Sequence, residues 1–174
     1  MEITVVQGDI TRQDVDAVVN AANNGMRGGG GVDGAIHRAG GPAILADCVA
    51  RFPDGLATGA AGWTTAGDLA ATWVIHVVGP NRTAGQTDRG LLTSCYTRAL
   101  EVADELGART VAFPLVSAGV YGWPKDDAVA CALEVFRSAS TSVEEARLVA
   151  FDAATYEEIS AQLSIRARSR SSDG

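Results

Sequence analysis

Asn20-Ala21-Ala22-Asn23-Asn24-Gly25-Met26-Arg27-Gly28-Gly29-Gly30-Gly31-Val32-Asp33-Gly34-Ala35-Ile36-His37 is the stretch on which the reading of this chain turns. The β-branched lead-in Ala17-Val18-Val19 reads as a strand, and the apolar spacing from about Asp33 to Ala39 reads as a helix. Four consecutive glycines stand between them. Glycine adds nothing to packing and costs backbone entropy, so a run of four is useful only where φ is positive or something approaches the main chain closely. A glycine run that opens a helix aims bare N–H groups and the positive end of the helix dipole at one point, which suits a phosphate. A flexible surface loop would carry Ser and Gly without polar residues placed at both mouths.

The 174 residues suit one domain with a sizeable core, and 47% hydrophobic against 20% charged residues describes a globular chain. The net charge of −7 repels nucleic acid and anionic membranes, so neither is expected as a partner. An anionic ligand would have to be held by backbone amides and local dipoles. Three cysteines, Cys48, Cys95 and Cys131, are an odd count without paired spacing, which argues for free thiols rather than a disulfide framework or a zinc site. The first residues run directly into a strand rather than a signal peptide, and no apolar stretch reaches membrane-spanning length. A cytoplasmic monomer is the expectation.

Working outward, Glu2 to Gln7 reads as a strand, stopped by Gly8-Asp9-Ile10-Thr11, where Thr11 would cap a short helix through Asp16. Ala17 to Asn20 is a second strand, buried on both faces. Pro42 suits the first turn of a helix through Arg51. Gly59 to Thr65 is a weak strand, Trp73 to Val78 a clear one, Asp88 to Leu106 a helix closed by Gly107. Thr110 to Val116 is a strand followed by a second glycine loop, Ser117-Ala118-Gly119-Val120-Tyr121-Gly122. Lys125 to Ser138 is a helix, Arg147 to Phe151 the last strand, Ala154 to Leu163 the last helix, and 166–174 a disordered tail after a single domain over 1–165. Alternating strands and helices predict an α/β fold with a mostly parallel sheet covered on both faces. Ligands in such sheets bind beyond the carboxyl ends of the strands, where the loops of Asp9, Asn23 and Ser117 would all emerge.

Gly29 to Gly34 formally matches G-x-G-x-x-G, but it follows the second strand, and the nearest acidic candidate, Asp54, sits in a turn, so a dinucleotide-linked oxidoreductase is disfavoured. Two glycine loops, one before each of two helices, would clamp a diphosphate between them. Asp9 could accept a hydrogen bond from an exocyclic amine such as that of adenine, or be a turn or cap aspartate; the residues leave both open.

The segments Gln7 to Thr11, Val19 to Asn23, Gly28 to His37, Val74 to Pro80 and Pro114 to Pro124 together resemble the macrodomain family and, within it, the MacroD-type ADP-ribosyl hydrolases and O-acetyl-ADP-ribose deacetylases. The resemblance spans residue 2 to about 151. It implies a three-layer α/β/α sandwich with a mixed, mostly parallel central sheet and an ADP-ribose site at the strand carboxyl ends. It assigns Asp9 to the adenine amine, Ile10 to the adenine flank, and Gly30, Gly31 and Val32 to the diphosphate and distal ribose. Ser117, Ala118, Gly119, Val120 and Tyr121 would form the second phosphate loop, and Phe151 would stack on adenine. Asn23 would hold the distal ribose hydroxyls and Asp33 would stand beside the reacting carbon, these two being the catalytic candidates. His37, one turn past Asp33, would orient it or be structural; His76, inside a strand, reads as core.

The activity so implied is removal of mono-ADP-ribose from acidic side chains of proteins and deacetylation of O-acetyl-ADP-ribose, by water positioned at the distal ribose, with no metal and no cofactor. ADP-ribose and mono-ADP-ribosylated proteins are the expected partners. The alternative is a non-catalytic ADP-ribose reader, which needs the pocket but not Asn23 and Asp33 together. Poly(ADP-ribose) glycohydrolases carry paired glutamates after the glycines, and residues 32–46 hold none; a lysine–aspartate covalent route is disfavoured because Lys125 is the only lysine.

Overall fold

The computed structural model describes the backbone of residues 1–171 and the side-chain surroundings of residues 1–165. Its strands are β1 (Glu2–Gln7), β2 (Ala17–Ala22), β3 (Ala61–Thr65), β4 (Trp73–Val78), β5 (Thr110–Phe113) and β6 (Glu145–Ala150). Its helices are α1 (Gly31–Gly40), α2 (Pro42–Arg51), α3 (Arg89–Leu106), α4 (Lys125–Ser138) and α5 (Ala153–Ser171). The strands form one sheet in the order β1-β6-β5-β2-β4-β3, parallel throughout except for β3, which runs antiparallel to β4.

Successive residues of a strand face opposite layers, and both layers are filled. Ala17 and Val19 of β2 join a core with Leu92 of α3, Leu133 of α4 and Ile159 of α5. Val18 and Ala22 join a second core with Ile36 of α1 and Ile44 and Cys48 of α2. The result is a three-layer α/β/α sandwich on a mixed, mostly parallel sheet. All three cysteines are buried free thiols.

Several local readings change: β2 runs on past Asn20 to Ala22, and β6 spans Glu145–Ala150 rather than Arg147 to Phe151. The helix expected from Thr11 is a single 3-10 turn, Ile10–Arg12, and its N-cap is Asp9, whose Oδ1 accepts from the Thr11 backbone N–H at 2.9 Å. Aspartate reaches the amide two residues on, and Gln13 is already extended, so no helix propagates. Helix α1 begins at Gly31 rather than near Asp33. Strand β5 stops at Phe113 instead of Val116, because Pro114 has no N–H to give a neighbour. It therefore pairs with β2 only at Ala17 and Val18. Helix α5 runs past the predicted Leu163 end to Ser171; of the expected tail, 172–174 lie outside the described residues. The weak signal of β3 has a packing cause: a Cβ on Gly62 would stand 2.5 Å from the Phe52 ring.

Candidate active site

The segments leaving β1, β2, β5 and β6 converge on one rim and enclose a cleft of about 830 Å³. It opens where the connections diverge, with β2 leading to α1 on one face and β5 to α4 on the other, the usual position of a ligand crevice in such sheets. Asp9, Ile10, Asn23, Gly30 to Asp33, Ser117 to Tyr121 and Phe151 all line it. So do Arg38 and Lys125, cations that the sequence reading did not place there.

The first wall is the glycine run. Gly30 is the N-cap of α1 and offers no side chain to satisfy the N–H groups of the first turn, which a helix leaves without internal partners. Its φ of −92° is open to any residue. A Cβ there would meet no protein atom within 4 Å. Neither strain nor packing requires glycine at this position; what it keeps clear is the approach to the backbone from the cleft. Gly31, at φ +58°, needs glycine for its own conformation.

The opposite wall is braced from behind. Thr83 donates its backbone N–H to the Tyr121 carbonyl at 3.1 Å and its hydroxyl to the Val120 carbonyl at 3.3 Å. Ser117 takes a positive φ of 64°, and its buried hydroxyl has no hydrogen-bond partner within the described structure. At the lip, Val120 and Phe151 are 91% and 89% exposed. A large aromatic left in water at the mouth of a cleft is a ready surface for a flat ring.

Asp9 serves its turn with one oxygen: Oδ1 accepts from the Thr11 amide and, at 2.7 Å, from the Thr11 hydroxyl. Oδ2 lies 3.7 Å from Arg12 Nε and is otherwise open. The Thr11 hydrogen bonds lower the pKa of Asp9, so at neutral pH it is a carboxylate and an acceptor. The cap reading and the ligand reading thus occupy different oxygens of one group.

Asn23 folds the glycine loop back by donating from Nδ2 to the Gly28 carbonyl at 3.1 Å. Asp33 is buried; its Oδ1 accepts from Asn20 Nδ2 at 2.8 Å and lies 3.4 Å from His37 Nε2, one helical turn along. The two catalytic candidates both flank Gly29, where an added Cβ would be 3.2 Å from Asn23 Nδ2 and 3.2 Å from Asp33 Oδ2. Behind Asp33, Asn20 also contacts His76 Nδ1 at 3.1 Å, and His76 Nε2 meets Thr64 Oγ1 at 2.8 Å. Burial pushes the His76 pKa down to about 3 and that of the Cys48 thiol up to about 11, so both are neutral. Asn20 is the supporting residue that the sequence motif does not single out. A signal was there: Asn20 and His76 are polar residues inside apolar strands, and they stand opposite each other in the β2–β4 register.

The Macro domain family model matches residues 19–132. The chain belongs to the macrodomain family. Among the relatives of this macrodomain, a Macro domain-containing protein of Streptomyces coelicolor is 60% identical over 165 residues, 92% of this chain and 98% of that protein. O-acetyl-ADP-ribose deacetylase 1 of Pantoea vagans is 46% identical over 162 residues, 90% of this chain and 95% of that protein. The crystal structure of a Trypanosoma brucei macrodomain in complex with ADP-ribose superposes with a TM-score of 0.85 at 34% identity, covering 93% of this chain and 69% of that one. Among the described residues, no helix of the macrodomain is long and apolar enough to cross a membrane.

Proposed function

We propose that this macrodomain binds ADP-ribose in the cleft and hydrolyses acyl esters at the distal ribose, releasing mono-ADP-ribose from aspartate and glutamate side chains of proteins and acetate from O-acetyl-ADP-ribose. The observation that carries the reading is that Asn23 Nδ2 and Asp33 Oδ2 flank Gly29 together in the lining of the cleft. The ligand runs from Asp9, Ile10 and Phe151 at the adenine end, between the two glycine loops that take the diphosphate, to Asn23 and Asp33. The relative named a deacetylase and the relative seen with ADP-ribose support the same ligand and reaction.

In this reading the fold supplies position and electrostatics. Helix α1 presents its N-terminal N–H groups to the diphosphate, with Arg38 and Lys125 adding positive charge near the walls. Asn23 both donates to and accepts from the ribose hydroxyls. Asp33 has one oxygen held by Asn20, which leaves Oδ2 to orient water at the distal ribose. Water adds, the ester C–O bond breaks, and the acyl group departs as a carboxylate, a stable leaving group. The proton of water passes to Asp33 or to the phosphate of the substrate. The test is a time course of ADP-ribose release from Glu-linked mono-ADP-ribosylated protein and of acetate release from O-acetyl-ADP-ribose, with calorimetric titration of ADP-ribose in parallel. Release of both products is expected. Tight ADP-ribose binding without release would leave a reader module.

A further inference from the structure

We propose that His76 is a positioning residue for Asp33, acting through the amide of Asn20, with Thr64 fixing the histidine tautomer that makes this possible. The inference rests on the hydrolase reading above. The argument is one of proton counting. Thr64 Oγ1 donates its single proton to the Thr65 carbonyl at 2.9 Å. Toward His76 Nε2, 2.8 Å away, that oxygen can only accept, so Nε2 carries the ring proton. His76 Nδ1 is then a bare lone pair and accepts from Asn20 Nδ2 at 3.1 Å. The second proton of the same Asn20 nitrogen goes to Asp33 Oδ1 at 2.8 Å.

The amide of Asn20 is thereby locked in one orientation. Flipped, it would place an oxygen against the Nδ1 lone pair and against the Asp33 carboxylate, two repulsions with no donor gained. The locked orientation carries a cost: Asn20 Oδ1 is buried with no partner. Valine and isoleucine at these two β-strand positions would fill the same core with no unpaired oxygen of their own, but would strip Asp33 Oδ1 of its Asn20 donor. A strand pair that keeps an unsatisfied oxygen in order to point a donor at the cleft carboxylate is arranged for that carboxylate. The other groups near His76 do not supply the role: Cys48 Sγ is 3.9 Å from Nε2, and the His37 ring is 6.4 Å away between centroids.

The test uses the full-length protein in three arms. Nitrogen-15 spectroscopy without substrate reads the tautomer; the expected proton is on Nε2, and a proton on Nδ1 overturns the proposal. Steady-state kinetics on His76→Leu should show kcat lowered roughly 10- to 100-fold, the scale of a small misplacement of a catalytic group, with ADP-ribose affinity and KM within about threefold of wild type. His76→Asn, whose Oδ1 can replace Nδ1 as acceptor, should recover most of kcat. Thr64→Val, nearly unchanged in shape, should lower kcat several-fold at unchanged affinity, and it decides the matter if His76→Leu does not fold. Wild-type kcat in His76→Leu or in Thr64→Val, or loss of affinity in step with kcat, overturns the positioning role. A silent wild-type protein overturns the hydrolase reading and this role with it, whereas an active wild type beside equally active variants overturns this role alone.

Discussion

Substitution of Gly30 separates the ligand's need for bare backbone from the fold's. The residue is extended at φ −92°, and an added Cβ would meet nothing within 4 Å. Gly30→Ala should therefore melt like the wild type. On the proposed reading, Gly30→Glu adds a carboxylate to the wall that would face the diphosphate. A negative charge about 4 Å from one phosphate charge costs about 4 kcal/mol at an effective dielectric near 20. That is almost three orders of magnitude in Kd, before any loss of backbone hydrogen bonds. Gly31→Glu is a less clean probe. At φ +58° its new side chain strains the backbone by about 1–2 kcal/mol, which would lower Tm by roughly 2–8 °C. The assay is calorimetric titration with ADP-ribose beside a thermal melt of each variant. Gly30→Glu should melt like the wild type and show no measurable binding, while Gly31→Glu should lose both binding and some stability. A natively melting Gly30→Glu protein that binds ADP-ribose within tenfold of wild type would refute the phosphate role of the glycine run.

Three further outcomes are expected. Asp9→Ala should weaken ADP-ribose binding by about 1–3 kcal/mol, through the unpaired adenine amine, and cost about 1 kcal/mol of stability through the lost cap; calorimetry that finds unchanged affinity would restrict Asp9 to its turn. Asp33→Ala should lower turnover of Glu-linked ADP-ribose by roughly 10²–10⁴-fold with ADP-ribose affinity much less affected, and Asn23→Ala should be milder; equal loss of binding and turnover in Asp33→Ala would count against a role at the reacting centre. Glu145 has its pKa lowered, first by hydrogen bonding from Arg147 and also by the Thr4 hydroxyl, so its contribution to stability is present above the ordinary glutamate range and lost as pH falls from about 4.5 through the lowered value. Acid titration of Glu145→Gln should show a flatter loss of stability over that window than the wild type, and superimposable curves would dismiss the pair.

The layout of the site was legible in the sequence because backbone geometry wrote it there. Consecutive glycines after a buried strand, a second glycine loop after Pro114, and Asp9 behind Gly8 are local signals, and each falls at the carboxyl end of a strand. Residues whose role comes from tertiary neighbours were less legible. Arg38 and Lys125 come to the site only when α1 and α4 are set on opposite sides of one cleft. The link from Thr64 through His76 and Asn20 to Asp33 joins three strands and a helix, and it appears only once these elements are packed together. Asp9 displaced Thr11 as the cap because a carboxylate one residue before the turn could satisfy the Thr11 amide and hydroxyl together.

The early end of β5 has a consequence for how this protein can change. Beyond Val18, β2 has no β5 partner, and the cleft occupies the space that a longer strand would fill. The floor of the cleft is thus a section omitted from the sheet, and its walls are the two glycine loops that leave the strands on either side of it. Val120 and Phe151 at the lip can vary with little effect on folding, and they are where a lineage can retune what the protein accepts. A lesion in Ala22, Val116 or Val149, core residues that also line the cleft, by contrast disturbs core and cleft together. Selection on stability and selection on activity therefore act on the same residues at the floor, and on different residues at the rim.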